Sequence, residues 1–284
     1  MRRTPFAGRP NTLSNGPRMT FRDVYLVSEK LAPLPPGEIA AFEDWLRERF
    51  GLPLPPDYRE YMTSLGYGTY CDFVHVFSPA EVTTDFAPIG KPWGQHFFWD
   101  AGRDVLSEGQ VERSFYVART VDGDEIICSP EYPGELFVLP RHDDHIYRMP
   151  AGLRDPFAWD GAPPNVRPER PPFLYFTPDR DRAHVAFFTS LGTLQVDDLH
   201  RQFHARWRHA EFREIVGADY ALLFPKAIGG RVQIVKEREG KGRVGIRIDY
   251  DSDDQLEINA AERMLTAQGM FVTGRHSASV LSSR

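Results

Sequence analysis

The chain has 284 residues, 41% hydrophobic and 13% aromatic, enough for one or two folded domains with a real core and too apolar for a disordered chain. No apolar run approaches the roughly 20 residues that span a bilayer, so a membrane-spanning helix is excluded. Residues 21–170 carry 14 Lys and Arg against 25 Asp and Glu, a net −11, while the whole chain is only −6; this acidic stretch disfavours direct nucleic-acid binding, since phosphate needs cations opposite it, and it suits a basic protein partner.

The first residues, Met1-Arg2-Arg3-Thr4-Pro5-Phe6, are basic and lack the apolar stretch of a secretory signal, so a cytoplasmic location is expected. Residues 1–20 read as a flexible arm rich in Gly, Pro, Asn and Ser. Phe21 to Leu31 fits strand or helix and is stopped by Pro33, Pro35 and Pro36. From Gly37 to Phe50 the sequence predicts a helix, with Ile39, Phe42, Leu46 and Phe50 on one face and Gly51 as its stop. A second helix begins near Asp57, with Tyr58, Tyr61, Met62 and Leu65 at helical spacing, and Gly66 ends it. Tyr58 and Tyr61 are expected to bury their rings and keep their hydroxyls bonded. Strands are predicted at 73–77, 114–119, 125–128, 136–139 and 145–149, with Val121-Asp122-Gly123-Asp124 as a turn. Five prolines in residues 160–172 predict an extended linker. Beyond it a second α+β unit, 173–274, reads as strand 183–188, helix 196–207, strands 220–224, 231–236 and 243–250, helix 258–268 and strand 270–273. Residues 275–284 read as a frayed tail.

Chemistry-bearing patterns are few. Cys71 and Cys128 are too few for a disulfide framework or a zinc site, and both read as core thiols. His200 and His204 stand four apart on a predicted helix, a spacing that holds zinc. Arg201 nevertheless replaces the glutamate that a metalloprotease needs, and Arg206 and Arg208 oppose a cation. The run Asp249, Asp251, Asp253 and Asp254 resembles the start of a calcium loop. Its sixth and twelfth positions are Asp254 and Ala260 rather than Gly and Glu, so the loop is incomplete. Arg141-His142-Asp143-Asp144-His145 reads as a turn between strands. Nucleophile-elbow, phosphate-loop and dinucleotide fingerprints do not occur, so no enzymatic activity, cofactor or metal is expected.

One stretch carries a family likeness. In Phe50-Gly51-Leu52-Pro53-Leu54-Pro55-Pro56-Asp57-Tyr58-Arg59-Glu60-Tyr61-Met62 an amphipathic helix ends in an aromatic-Gly pair, a Leu-Pro element follows, and an Asp-Tyr-Arg-x-Tyr helix begins. With the later Phe115–Ala118 strand, the Asp122-Gly123-Asp124-Glu125 turn and Gly134-Glu135-Leu136-Phe137-Val138, this order resembles the SUKH superfamily of bacterial toxin-immunity proteins and fungal cell-wall regulators. The likeness covers roughly residues 38–160. The family often carries Asn-Gly-Gly after the second helix, where this chain has Leu65-Gly66-Tyr67-Gly68. The resemblance implies an α+β fold over residues 21–159, a twisted antiparallel sheet with helices packed on it, and no active site. It also implies a cognate protein toxin as partner, a nuclease or nucleic-acid deaminase encoded nearby, neutralised by binding.

The acidic residues in turns between predicted strands are the expected toxin contacts: Asp122, Asp124, Glu125, Glu131, Glu135, Asp143 and Asp144. Trp93, Trp99 and Tyr132 are the expected aromatic anchors. A regulatory scaffold without a toxin is the alternative reading, and an enzyme with an unrecognised site a third. The sequence sets no oligomeric state.

Overall fold

A computed structural model describes residues 20–86, 88–89, 98–99, 105–179, 183–189, 194–236, 243–251, 253 and 255–276. The architecture is α+β and is built on two sheets. The first has eight strands: β1 (Tyr25–Leu26), β2 (Gly68–Tyr70), β3 (Val74–Val76), β4 (Phe115–Thr120), β5 (Glu125–Cys128), β6 (Leu136–Leu139), β7 (Tyr147–Arg148) and β8 (Tyr175–Pro178). Their spatial order is β1-β8-β2-β3-β4-β5-β6-β7. From β8 to β7 the pairing is antiparallel, but β1 lies parallel to β8, so the sheet is mixed rather than purely antiparallel as expected. A parallel neighbour needs a long crossover; here almost the whole first unit separates β1 from β8.

Helix α1 (Pro36–Phe50) buries Ile39, Phe42 and Leu46, and Gly51 closes it at φ 70°, donating its N–H to the Arg47 carbonyl. Helix α2 (Tyr58–Ser64) buries Tyr58, Tyr61 and Met62. The Tyr58 hydroxyl donates to the Phe77 carbonyl at 2.8 Å. The Tyr61 hydroxyl has no hydrogen-bond partner among the described residues, against the expectation from sequence. Asp57 does not cap α2 through its side chain; it holds a left-handed φ of 62° and its carboxylate meets Arg154 at 3.0 Å. The glycines after α2 have physical causes. Gly66 (φ 77°) lies against the Ala32 carbonyl, and Gly68 lies under the Phe176 ring, so neither position has room for a Cβ. A one-turn α3 (Pro79–Glu81) with a Ser78–Glu81 capping box and a short α4 (Glu108–Arg113) complete this unit.

The second sheet is antiparallel, ordered β10-β11-β12-β13-β9-β14, with β9 (Ala183–Thr189), β10 (Phe212–Val216), β11 (Tyr220–Pro225), β12 (Arg231–Lys236), β13 (Val244–Tyr250) and β14 (Met270–His276). Alternate residues such as Val185, Phe187, Ile246 and Ile248 form a core with Leu199, Phe203 and Trp207 of α5 (Val196–Trp207). Ile258, Ala261 and Leu265 of α6 (Gln255–Ala267) join the same core. Both helices therefore cover one face, and the other meets the first unit at Ile215, Leu222 and Phe224.

Two boundaries differ from the sequence reading. Residues 175–178, placed in the second unit, form β8 between β1 and β2 of the first sheet, so the second sheet starts at Ala183. Arg275 and His276, placed in the tail, belong to β14, where Arg275 pairs with Glu262 at 2.6 Å. The proline-rich stretch 160–172 is mostly exposed, with Arg170 tied to Asp155 at 2.5 Å. Among the described residues no helix is long and apolar enough to cross a membrane.

The two units share a packed seam. Phe224 of β11 is fully buried in the first core, against Tyr25, Phe173 and Tyr175. The Tyr25 hydroxyl donates to the Phe224 carbonyl at 2.6 Å, Ser28 donates to Asp251 at 2.8 Å, and Lys226 donates to the Leu26 carbonyl at 2.6 Å. Arg231 joins Asp72 of the first unit to Asp249 of the second.

Candidate binding surface

The sheet divides the acidic turn residues between its two ends. Strand β5 runs away from the β4–β5 turn, so Asp122, Asp124 and Glu125 lie at one end, and the β5–β6 turn with Glu131, Tyr132 and Glu135 lies at the other. The β6–β7 turn returns Asp143 and Asp144 to the first end. The expected toxin contacts are therefore two clusters.

At the first end, Asp124 joins the two turns. One carboxylate oxygen accepts from the Thr120 hydroxyl at 2.6 Å and the other from the Arg141 backbone N–H at 2.9 Å, and the Thr120 hydroxyl accepts from the Asp124 N–H at 3.0 Å. Gly123 (φ 89°) makes the turn, with the Arg141 side chain across it. Asp124 is 7% exposed and Glu125 9%, so neither is a surface contact. Glu125 accepts from Arg119 at 2.7 Å. Burial raises its pKa, and the Arg119 hydrogen bond opposes that rise. The residues left to meet a partner are Asp122, exposed and without an ion pair among the described residues, and the exposed Asp144 and Val121.

Asp143 organises the second turn. It accepts from the Tyr147 hydroxyl at 2.7 Å, the Asp144 N–H at 2.6 Å, the His145 N–H at 3.2 Å and His145 Nδ1 at 3.1 Å. Burial works to raise its pKa, but these hydrogen bonds outweigh it and hold the carboxyl below its ordinary value. His145 is shifted upward, first by the hydrogen bond to Asp143 and then by the two carboxylates. Ligand atoms of Asp143, Asp144 and His145 lie within 4.8 Å of one another, but Asp143 is already saturated by its donors.

At the other end each acid has a cation. Glu131 accepts from Arg113 Nε at 2.9 Å and from the Ser129 hydroxyl at 2.8 Å. Glu135 pairs with Arg148, whose guanidinium also lies 5.2 Å from the ring centroids of Tyr132 and Phe137. Tyr132 is half-buried under that cation and is not a free anchor. Trp99 is 1% exposed and donates its indole N–H to the Pro140 carbonyl at 3.0 Å, so it is core and pins the β6–β7 turn. Trp93 lies outside the described residues. The aromatic that sequence reasoning missed is Phe98, stacked on Trp99 with ring centroids 4.1 Å apart and half exposed at the first end. Its only signal was its place beside Trp99.

The other expected groups are spent structurally. His200 Nε2 meets Glu214 at 2.8 Å, and His204 packs edge-on against Phe212. Of the acidic run, Asp249 is held by Arg231 and Arg247, Asp251 accepts from Ser28, Asp253 pairs with Lys30, and Asp254 lies outside the described residues. Cys71 and Cys128 are buried free thiols, each pushed up to about 12 by burial, so neither is a thiolate at neutral pH. No family model matches the chain, and no curated protein matches it.

Proposed function

We propose that the protein is a SUKH-type immunity module, non-catalytic and cytoplasmic, that neutralises a protein toxin by direct binding. The observation that carries the reading is the joined pair of turns at one end of the first sheet. Asp124, Arg141 and Trp99 hold them in place, while Asp122, Asp144, Val121 and Phe98 face outward. A fixed surface with exposed carboxylates and exposed apolar side chains loses little entropy on binding and steers a basic cleft toward itself. A nuclease or nucleic-acid deaminase has such a cleft, and carboxylates there occupy phosphate positions. The residues from Phe50 to Met62 supply the family likeness on which the toxin assignment rests.

The test is co-purification with the product of the adjacent gene, followed by a toxicity assay in cells expressing both. A stable complex that abolishes toxicity supports the reading. An adjacent product that neither harms cells nor binds the chain contradicts it and favours a regulatory scaffold.

A further inference from the structure

The face of the second sheet turned away from α5 and α6 carries a polar row that starts at the seam. Strand register places Arg231 on β12, Asp249 on β13, His184 on β9 and His276 on β14 side by side, and Arg231 reaches across to Asp72 of the first unit. The row ends in two histidines that are cross-strand partners. Their ring centroids lie 5.3 Å apart at an interplanar angle of 25°. His184 is half-buried and His276 exposed, so the pair opens to solvent. Among the described residues β14 pairs with β9 alone, so the two rings bridge the edge strand to its single neighbour.

We infer that His184 and His276 form a two-histidine site for a borderline transition ion such as zinc, which pins β14 to β9. Imidazole nitrogen suits zinc, copper and nickel, whereas magnesium and calcium take oxygen ligands. Zinc holds each nitrogen at about 2.0–2.1 Å, which sets two nitrogens on one ion about 3.3 Å apart. Two rings already side by side meet that spacing by turning about their Cβ–Cγ bonds, with both strands in place. One nitrogen of each ring suffices, and the other remains for a hydrogen bond that orients the ring. The neighbouring charges do not repel the ion, because Arg231 and Arg247 are matched by Asp72 and Asp249. Asp249 is spent on those two arginines and is no ligand. Water therefore completes the coordination shell, as at an open rather than a closed zinc site. The sequence hides this pair, because the two histidines stand far apart in the chain and meet only through the register. His200 and His204, which do have a recognisable spacing, are turned instead to Glu214 and Phe212.

Titration of the full chain with zinc chloride, followed by NMR of the histidine rings, reads the site directly. The His184 and His276 ring signals should shift together and saturate, and amide exchange along β14 should slow. Magnesium chloride should move neither ring. His184→Gln and His276→Gln should each lower zinc affinity at this site at least tenfold, while His145→Gln, in the first unit, leaves it unchanged. His276→Cys supplies a thiolate in place of the imidazole and should bind zinc where His276→Gln does not, a recovery that misfolding cannot mimic. Rings of His184 and His276 that stay unmoved as zinc rises to millimolar concentration overturn the inference. So does a shift confined to one of them, or zinc binding at His184 that keeps its full strength in His276→Gln.

Discussion

At the scale of single residues, identical side chains in one turn do different work, and the difference is set by neighbours far along the chain. Asp122 and Asp124 flank the same glycine, yet only Asp124 meets the Arg141 N–H, seventeen residues on. The turn itself was legible from Asp-Gly-Asp; which carboxylate it buries was not, because that depends on how β6 ends. The contrast is measurable. Asp124→Ala leaves the buried Thr120 hydroxyl and the part-buried Arg141 N–H short of an acceptor and lowers stability by about 1–3 kcal/mol in urea unfolding, whereas Asp122→Lys stays within about 0.5 kcal/mol. His145 gives a pH signature. Its raised folded-state pKa means its contribution is complete below the unfolded value and is lost as pH rises through the folded pKa. Asp143, shifted down, contributes above its unfolded value and loses that contribution as pH falls through its folded pKa. The pair is complete only between these limits. NMR titration of the His145 ring should show a midpoint above the ordinary histidine value, moving down in Asp143→Asn; an unmoved midpoint contradicts the assigned hydrogen bond.

At the scale of elements, the sequence was readable where one segment carries its own pattern. Glu125–Cys128, Leu136–Leu139, Val196–Trp207 and Arg231–Lys236 stand where periodicity and bounding turns place them. The segments it hid or left undecided are β1, β2, β8 and β10. Three of them have only two to four residues, and none forms a clean alternation. Tyr175–Pro178 follows directly on the proline-rich stretch, and its hydrogen bonds go to β1 and β2, each more than 100 residues away. That pairing also explains Gly68, which admits the Phe176 ring, while Gly66 admits the Ala32 carbonyl. Gly66→Ala combines a positive φ with a backbone clash and should destabilise by more than about 2 kcal/mol in thermal or urea unfolding. A variant as stable as the parent contradicts this packing of the turn after α2 against Ala32. Tyr25→Phe deletes the hydroxyl that meets the Phe224 carbonyl and should cost about 1–2 kcal/mol. Because that bond crosses the seam, the loss should appear in one shared transition rather than in the melting of one unit.

For the whole molecule, the seam and the linker make opposite demands that one experiment separates. The exposed stretch 160–172 should be the first site cut by a glutamate-specific protease, at the exposed Glu169, since both arginines there precede a proline and are closed to trypsin. The nicked halves should still co-elute under native conditions, because Phe224, Tyr25, Phe173 and Tyr175 remain packed and Arg231 still joins Asp72 to Asp249. Halves that separate at once contradict a cooperative seam. The acidic balance of the first unit, visible in the sequence as −11, is less free than its count suggests, since Glu125, Glu131 and Glu135 each face an arginine. On the proposed function, steering of a basic partner falls to the end that bears Asp122 and Asp144. The most direct test compares toxin association rates for Asp122→Lys/Asp144→Lys and for Glu131→Lys/Glu135→Lys, at about 0.1 and 1 M salt, where the Debye length falls from about 10 to about 3 Å. The account predicts that the first pair slows association several-fold at low salt and little at high salt, with the fold intact by circular dichroism, while the second pair leaves the rate near that of the parent. A first pair that associates at the parental rate while the second is slowed would contradict it.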